Sequence, residues 1–152
     1  MVNLDHQDWQ ILEVLQDDAR IGNRELARRI GMSPAATAAR VRRLERTGVI
    51  TGYSARIDPL RAGYQISAYI VVNTAGRRQS IQIADLAART PEVLEDHRVT
   101  GTDDHVLRAV VTSLQELEPL IDELNELGKP ATMLVLSSPK PWGAVPNPGR
   151  TD

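Results

Sequence analysis

Cysteine is absent, which excludes disulfides, thiolate nucleophiles and thiolate-held metals. Long hydrophobic runs are missing too. With 25% of residues charged, no stretch approaches the ~18 apolar residues that a membrane span needs. The opening "MVNLDHQDWQ" is polar and acidic, unlike a secretory signal. No Gly-x-Gly-x-x-Gly loop occurs, and no nucleophile is paired with a base. These absences leave the expectation of a cytoplasmic protein that is not an enzyme and needs no cofactor or metal. The 152 residues suffice for one ordinary domain or two small ones.

Charge is unevenly spread. The net charge of −2 argues by itself against nucleic acid. Between Arg20 and Arg46, however, eight arginines face only Glu25 and Glu45, a local excess of +6, so the remainder carries −8. A basic module joined to an acidic one has this footprint.

The basic part reads as three short helices. "LDHQDWQILEVLQDD" sets Trp9, Leu12 and Leu15 at helical spacing, with Asp5 and Asp8 near its start. "RELARRI" repeats the pattern with Leu26, Ala27 and Ile30 and stops at Gly31. Ser33 suits an N-cap and Pro34 the first helical position, so a third helix is expected to about Thr47, closed by Gly48. This is a helix-turn-helix. "VITGYSARID" mixes β-formers with glycine and reads as a strand or β-ribbon before a connector at Pro59 and Gly63.

From Ile66 the pattern changes. "ISAYIVVNT" is a strand, "SIQIADLAART" a helix stopped by Pro91, and "VLEDHRVT" and "HVLRAVVT" two further strands. "LQELEPLIDELNEL" is a helix with Leu117, Ile121 and Leu124 on one stripe and Gly128 past its end; "ATMLVLSS" is a last strand. The order βαββαβ is that of a ferredoxin-like α+β domain with an antiparallel sheet. Ile66, Ala68, Ile70 and Val72 occupy one side of the first strand, and Tyr69 and Val71 the other. Two helices cover one face only, so a dimer is expected through the second. The domain boundaries are therefore 1–49 for the helix-turn-helix, 50–64 for the ribbon or linker, 65–138 for the ferredoxin-like domain and 139–152 for a tail. That tail, "PKPWGAVPNPGRTD", holds four Pro and two Gly and reads as loose, with Trp142 its one aromatic anchor.

The third helix can be read as a surface. With Thr37, Val41 and Leu44 facing a core, the opposite side carries Ala35, Ala39, Arg42 and Arg46, flanked by Ala36 and Arg43. Small residues let a backbone approach base edges, and arginines reach phosphates or guanines. Ser33, Ala35, Ala36, Ala39, Arg42, Arg43 and Arg46 are the candidate contacts with double-stranded DNA. Arg40, nearer the core flank, serves the fold or a phosphate.

"LDHQDWQILEVLQDDAR", "ELARRIGMSPAATAARVRRLERTGVITGY" and "VTGTDDHVLRAVV" together resemble the Lrp/AsnC family of feast/famine transcription regulators, over roughly residues 4–138. The resemblance implies a winged or ribbon-extended helix-turn-helix and a ferredoxin-like domain that dimerises through its sheet. It also implies octameric assemblies of dimers that wrap DNA, with a small effector, usually an amino acid, bound between dimers. In the family a matching Gly-x-x-Asp loop lines the effector pocket, which nominates Gly101, Thr102, Asp103 and Asp104, and a strand position nominates Thr132. Backbone N–H groups suit an α-carboxylate and the Asp an α-ammonium. Asp103 departs from the family's common aromatic residue, and Ala38 and Ala39 stand where relatives carry larger polar groups. Polar base readout is thus expected to be thin and DNA shape important.

Rival readings remain open. The alanine-rich face also fits an architectural nucleoid protein with little sequence preference and no effector, and the ferredoxin-like part alone could be an enzyme or metabolite-binding module. His97, His105, Asp103 and Asp104 could be imagined as a metal site, though strand-face histidines and hydrated turn carboxylates are the simpler reading. Glu92, Glu95 and Asp96 read as a solvated turn and strand face.

Overall fold

Asp5 starts the first helix, α1 (His6–Asp17), by a reciprocal cap. Its carboxylate accepts from Asp8 N–H at 2.9 Å while Asp8 accepts from Asp5 N–H at 3.0 Å. The structure is a computed structural model that describes residues 2–149. It divides into two units, Met1–Arg56 with Lys140–Asp152, and Ile57–Pro139.

In the first unit, α2 (Asn23–Arg29) and α3 (Pro34–Arg46) follow α1. Ile11, Leu12, Leu26, Ile30 and Leu44 form its buried core, with Trp9, Leu15 and Val41 packed against them. The turn between α2 and α3 depends on Gly31, whose φ of +68° a side chain would strain. Ser33 Oγ accepts from Ala36 N–H at 3.2 Å and Pro34 takes the first position of α3, as its sequence requires. Asn23 Nδ2 donates to Pro34 O at 2.9 Å, tying the start of α2 to the start of α3.

Two expectations need correction here. The stretch from Val49 to Asp58, read as a strand or ribbon, carries no strand pairing among the described residues. A ribbon needs a second strand, and this single chain supplies none there. Tyr53 instead donates to Glu45 Oε1 at 2.9 Å, back onto α3. The tail is not loose in its described part. Gln16 Nε2 donates to Val145 O at 3.2 Å, Val145 N–H donates to Gln16 Oε1 at 2.7 Å, and the Arg56 guanidinium lies 3.2 Å from the Trp142 ring centre. A side-chain amide mimics a backbone partner, so a proline-rich segment docks without forming a strand.

The second unit is built around β1 (Ile66–Thr74), followed by α4 (Arg77–Arg89), β2 (Val93–Arg98), β3 (His105–Val111), α5 (Leu114–Leu127) and β4 (Gly128–Leu134). The sheet order is β2-β3-β1-β4, with every pairing antiparallel. Ala68, Ile70 and Val72 of β1 face α4 and α5, where Ile83, Leu86, Leu107, Leu117, Leu120 and Leu124 complete the core. The other face shows Tyr69, opposite Met133 and Arg108, and both apolar side chains are exposed. This is the ferredoxin-like α+β domain that alternating and helical periodicities predict.

β4 begins earlier than expected. It starts at Gly128 with no loop after α5, because Gly128 already pairs with Thr74. A Cβ on Gly128 would stand 2.5 Å from Asn73 O and 2.9 Å from Val72 Cγ1. The glycine is thus a contact requirement between strands as well as a helix stop. Gly128→Ala is expected to destabilise the second unit by roughly 1–3 kcal/mol, seen as a lower urea midpoint by far-ultraviolet circular dichroism; an unchanged midpoint would show that β1 yields freely.

Candidate DNA-binding face and effector loop

The face of α3 away from the core carries Ala35, Ala39, Arg42 and Arg46, all exposed, with Ala36 half-buried beside them. Thr37 and Leu44 are fully buried on the opposite side. Thr37 Oγ1 donates to Ser33 O at 3.0 Å, which satisfies its hydroxyl inside the core. The helix N-terminus capped by Ser33 stands at the small-residue end of the exposed face.

The arginines divide into two groups. Arg40 Nη1 donates to Asp8 Oδ1 at 2.8 Å and to Asp5 Oδ2 at 2.7 Å, and Arg43 donates to Asp8 Oδ2. The Asp8 side chain is 1% exposed. Burial alone pushes its carboxyl up, but the bonds from Arg43, the Asp5 backbone N–H and Arg40 outweigh it and hold the pKa at about 2. On α2, Arg28 and Arg29 both bond Glu25, and the guanidinium of Arg28 leads in holding that carboxyl at about 2. Of the eight arginines counted in the sequence, Arg20, Arg24, Arg42 and Arg46 have no ion pair among the described residues. Arg43, a candidate DNA contact, bonds Asp8 and keeps a third of its side chain exposed. Arg40 serves the fold too, one of the two roles left open for it.

Sequence reasoning missed Asp8 as the keystone of this domain. It placed Asp5 and Asp8 only as helix-start residues. Their spacing of three was the available signal, because a capping box leaves carboxylate oxygens free to meet cations.

In the second unit, the β2–β3 loop brings Gly101, Thr102, Asp103 and Asp104 together. Gly101 and Thr102 are exposed, Asp103 and Asp104 half-buried. Asp104 Oδ2 accepts from Thr74 N–H and Thr74 Oγ1, each at 2.7 Å, and these two bonds hold its carboxyl below the usual range. Asp104 N–H donates to Val72 O at 2.9 Å, Val99 N–H donates to Asp104 O at 2.9 Å, and Asn73 Nδ2 bonds Thr102 O. The loop is therefore stapled to the end of β1. Thr132 stands apart from it, exposed on edge strand β4 opposite Ile70.

A cleft of about 730 Å³ does exist in this unit, lined by Tyr64, Glu92, Glu116, Pro119, Leu120 and Glu123 among others, but no loop residue lines it. Of the residues read as a solvated turn and strand face, Glu95 is exposed on β2 as expected, while Asp96 is half-buried. Asp96 bonds the wholly buried His105, and Glu95 accepts from Arg108 Nη1 at 2.8 Å.

Three helices with an exposed arginine-and-alanine face, followed in the chain by a four-stranded sheet domain with a stapled loop, have the order expected of a helix-turn-helix regulator with a sensor domain. Comparison with known proteins agrees. Residues 4–51 match the winged helix-turn-helix DNA-binding model, and residues 67–145 match the Lrp/AsnC ligand binding domain. The HTH-type transcriptional regulator YezC of Bacillus subtilis is 39% identical over 89% of this chain and 95% of its own. The leucine-responsive regulatory protein of Rhizobium meliloti is 38% identical over 80% of each chain. A transcriptional regulator from Neisseria meningitidis, solved as a complex with L-Met, superposes with a TM-score of 0.87 at 27% identity, over 95% of this chain and 97% of that one. The chain belongs to the Lrp/AsnC family of DNA-binding transcription regulators.

The Asp8 pair has a direct pH consequence. Because its pKa is lowered from 3.8 to about 2, the stabilisation, roughly 2 kcal/mol, is fully present above about pH 4. It is lost as the pH falls from there towards 2. Both tryptophans, Trp9 and Trp142, lie in the first unit, so their fluorescence reports its unfolding. Asp8→Asn is expected to lower the urea midpoint at pH 7 and to flatten the loss of stability below pH 4. Parallel acid curves for both proteins would remove Asp8 from this role.

Proposed function

We propose that this regulator reads DNA with the exposed face of α3 and answers to an amino acid held at the Gly101–Asp104 loop between copies of the chain. The observation that carries the DNA part is the division of the arginines. Arg42 and Arg46 are exposed and unpaired among the described residues, on the helix face where Ala35, Ala36 and Ala39 permit close approach and Ser33 caps the N-terminus. Arg42 and Arg46 take phosphates or guanine edges, while Arg40 and Arg43 hold the helix at its angle. Methyl groups along the face meet thymine methyls, and much of the selectivity comes from DNA shape. The protein works in the cytoplasm, on the nucleoid.

The effector part rests on the loop. Its backbone and the Asp104 carboxylate offer both halves of an α-amino acid a partner, with Oδ1 left to share because Oδ2 serves Thr74. Gly101 and Thr102 are exposed at the end of the sheet, so a second copy of the chain would supply the other wall of a pocket there. Self-association also suits the uncovered sheet face with Tyr69 and Met133 exposed. Dimers through that face, gathered into octamers, give a pocket at each contact between dimers, where Thr132 of the edge strand is a further contributor.

Arg42→Ala is expected to weaken binding to all DNA sequences and to reduce the log–log salt slope by about one, with the urea midpoint unchanged. Arg43→Ala should instead lower that midpoint. An unaltered salt slope in Arg42→Ala would take it off the contact surface, and equal affinity for specific and random DNA at matched salt would favour the architectural reading.

Light scattering with a panel of amino acids tests the effector. One amino acid is expected to shift the molar mass in the parent protein and to lose that effect in Asp104→Asn. A mass constant across the panel, with no heat of binding by calorimetry, would overturn the effector reading and leave DNA binding untouched.

A further inference from the structure

His105 opens β3 and is wholly buried, with both ring nitrogens engaged. Nε2 lies 2.7 Å from Ser80 Oγ on α4, and Nδ1 lies 2.8 Å from Asp96 Oδ1 on β2. A carboxylate only accepts, so Nδ1 carries a proton; a neutral ring then offers a bare Nε2 to the Ser80 hydroxyl. The three groups therefore specify one tautomer and one ring orientation. They share the atoms and order of a serine-hydrolase triad. Ser80 is only 5% exposed and His105 0%, so no substrate reaches the hydroxyl, and a catalytic use is excluded by access. A metal is excluded from the ring for the same reason, since neither nitrogen is free.

What the cluster holds is evident from its neighbours. Successive residues on a strand point to opposite sides. Asp104 grips the end of β1 through Thr74, and His105 grips α4 and β2 in the other direction. β2 ends at Arg98, which pairs with His105 in the sheet, and the loop from Val99 to Asp104 closes between them. An apolar side chain would fill the position of His105, but it would remove the side-chain ties to β2 and α4 and leave the loop's second root to backbone pairing alone.

We propose that His105, fixed by Asp96 and Ser80, is a positioning residue that sets the shape of the Gly101–Asp104 loop and hence its grip on the effector. The effector half rests on the proposed function above; the positioning half does not.

The test uses the full chain and three readouts. Amide hydrogen exchange without ligand is expected to quicken at Val99 and Asp104 in Asp96→Leu, while the amides of β1 facing β3 stay protected. Asp96→Asn keeps a carbonyl acceptor and should leave the loop slow. Nitrogen shifts of the His105 ring should report the Nδ1–H tautomer in the parent and in Asp96→Asn. For whichever amino acid shifts the mass, Asp96→Leu should bind it roughly tenfold more weakly and Asp96→Asn as the parent does, with DNA affinity equal in all three. Loop exchange unchanged in Asp96→Leu, exchange raised throughout the sheet, or an Nε2–H tautomer would each overturn the positioning. If the loop quickens as expected but no amino acid binds even the parent, the effector reading fails and the positioning stands.

Discussion

The regulator's DNA-binding half turns on one buried carboxylate. Asp8 takes hydrogen bonds from its own helix start and from two arginines one turn apart on another helix. Two donors at i and i+3 lie on one face of α3, and their shared bonds to a buried carboxylate favour the roll that turns that face toward α1. That roll is what turns Ala35, Ala39, Arg42 and Arg46 outward. Hydrophobic packing of Leu44 against Ile11 and Leu26 holds the helices together but tolerates small rotations. The ion pairs supply the angle.

The same economy of charge explains how a protein with net charge −2 can approach DNA. Half of the arginines in the basic segment are paired within the domain with Asp5, Asp8 and Glu25. The remaining field is concentrated on a few exposed side chains rather than spread over the surface, and a focused positive patch attracts a polyanion despite an acidic total. Acid residues do parallel work in the sensor domain, where Asp104 and Asp96 bind the two roots of one loop to a strand end and a buried ring. In both halves a carboxylate ties together segments that are distant in sequence.

Much of this architecture was legible from local pattern. β1 at Ile66–Thr74 and α5 at Leu114–Leu127 fall where alternation and helical spacing put them, and Ser33-Pro34 opens α3 as cap chemistry requires. What was not legible depends on how elements meet. Asp8 and Arg43 are 35 residues apart, and nothing in either segment names the other. His105 shares its strand face with Leu107, Ala109 and Val111, so alternation did mark it as inward; reading it with the turn beside it hid that signal. The absence of a strand after Val49 has a different cause, since β-forming residues in one segment do not say whether a partner strand lies beside it. The Gly101–Asp104 loop was nominated from its residues, yet its staple to Asn73 and Thr74 arises only once β1 and β3 are in register.

The docked tail carries a consequence for how the protein is made. Gln16 and Val145 meet across 129 residues of chain, and the DNA-binding unit is assembled from segments that precede and follow the sensor domain in the chain. On a ribosome the three N-terminal helices emerge first and can pack, but the segment around Trp142 and Val145 emerges after the whole sensor domain. The DNA-binding unit therefore acquires these contacts only after the whole sensor domain has been made, and a chain cut short in the sensor domain yields a reader that lacks them.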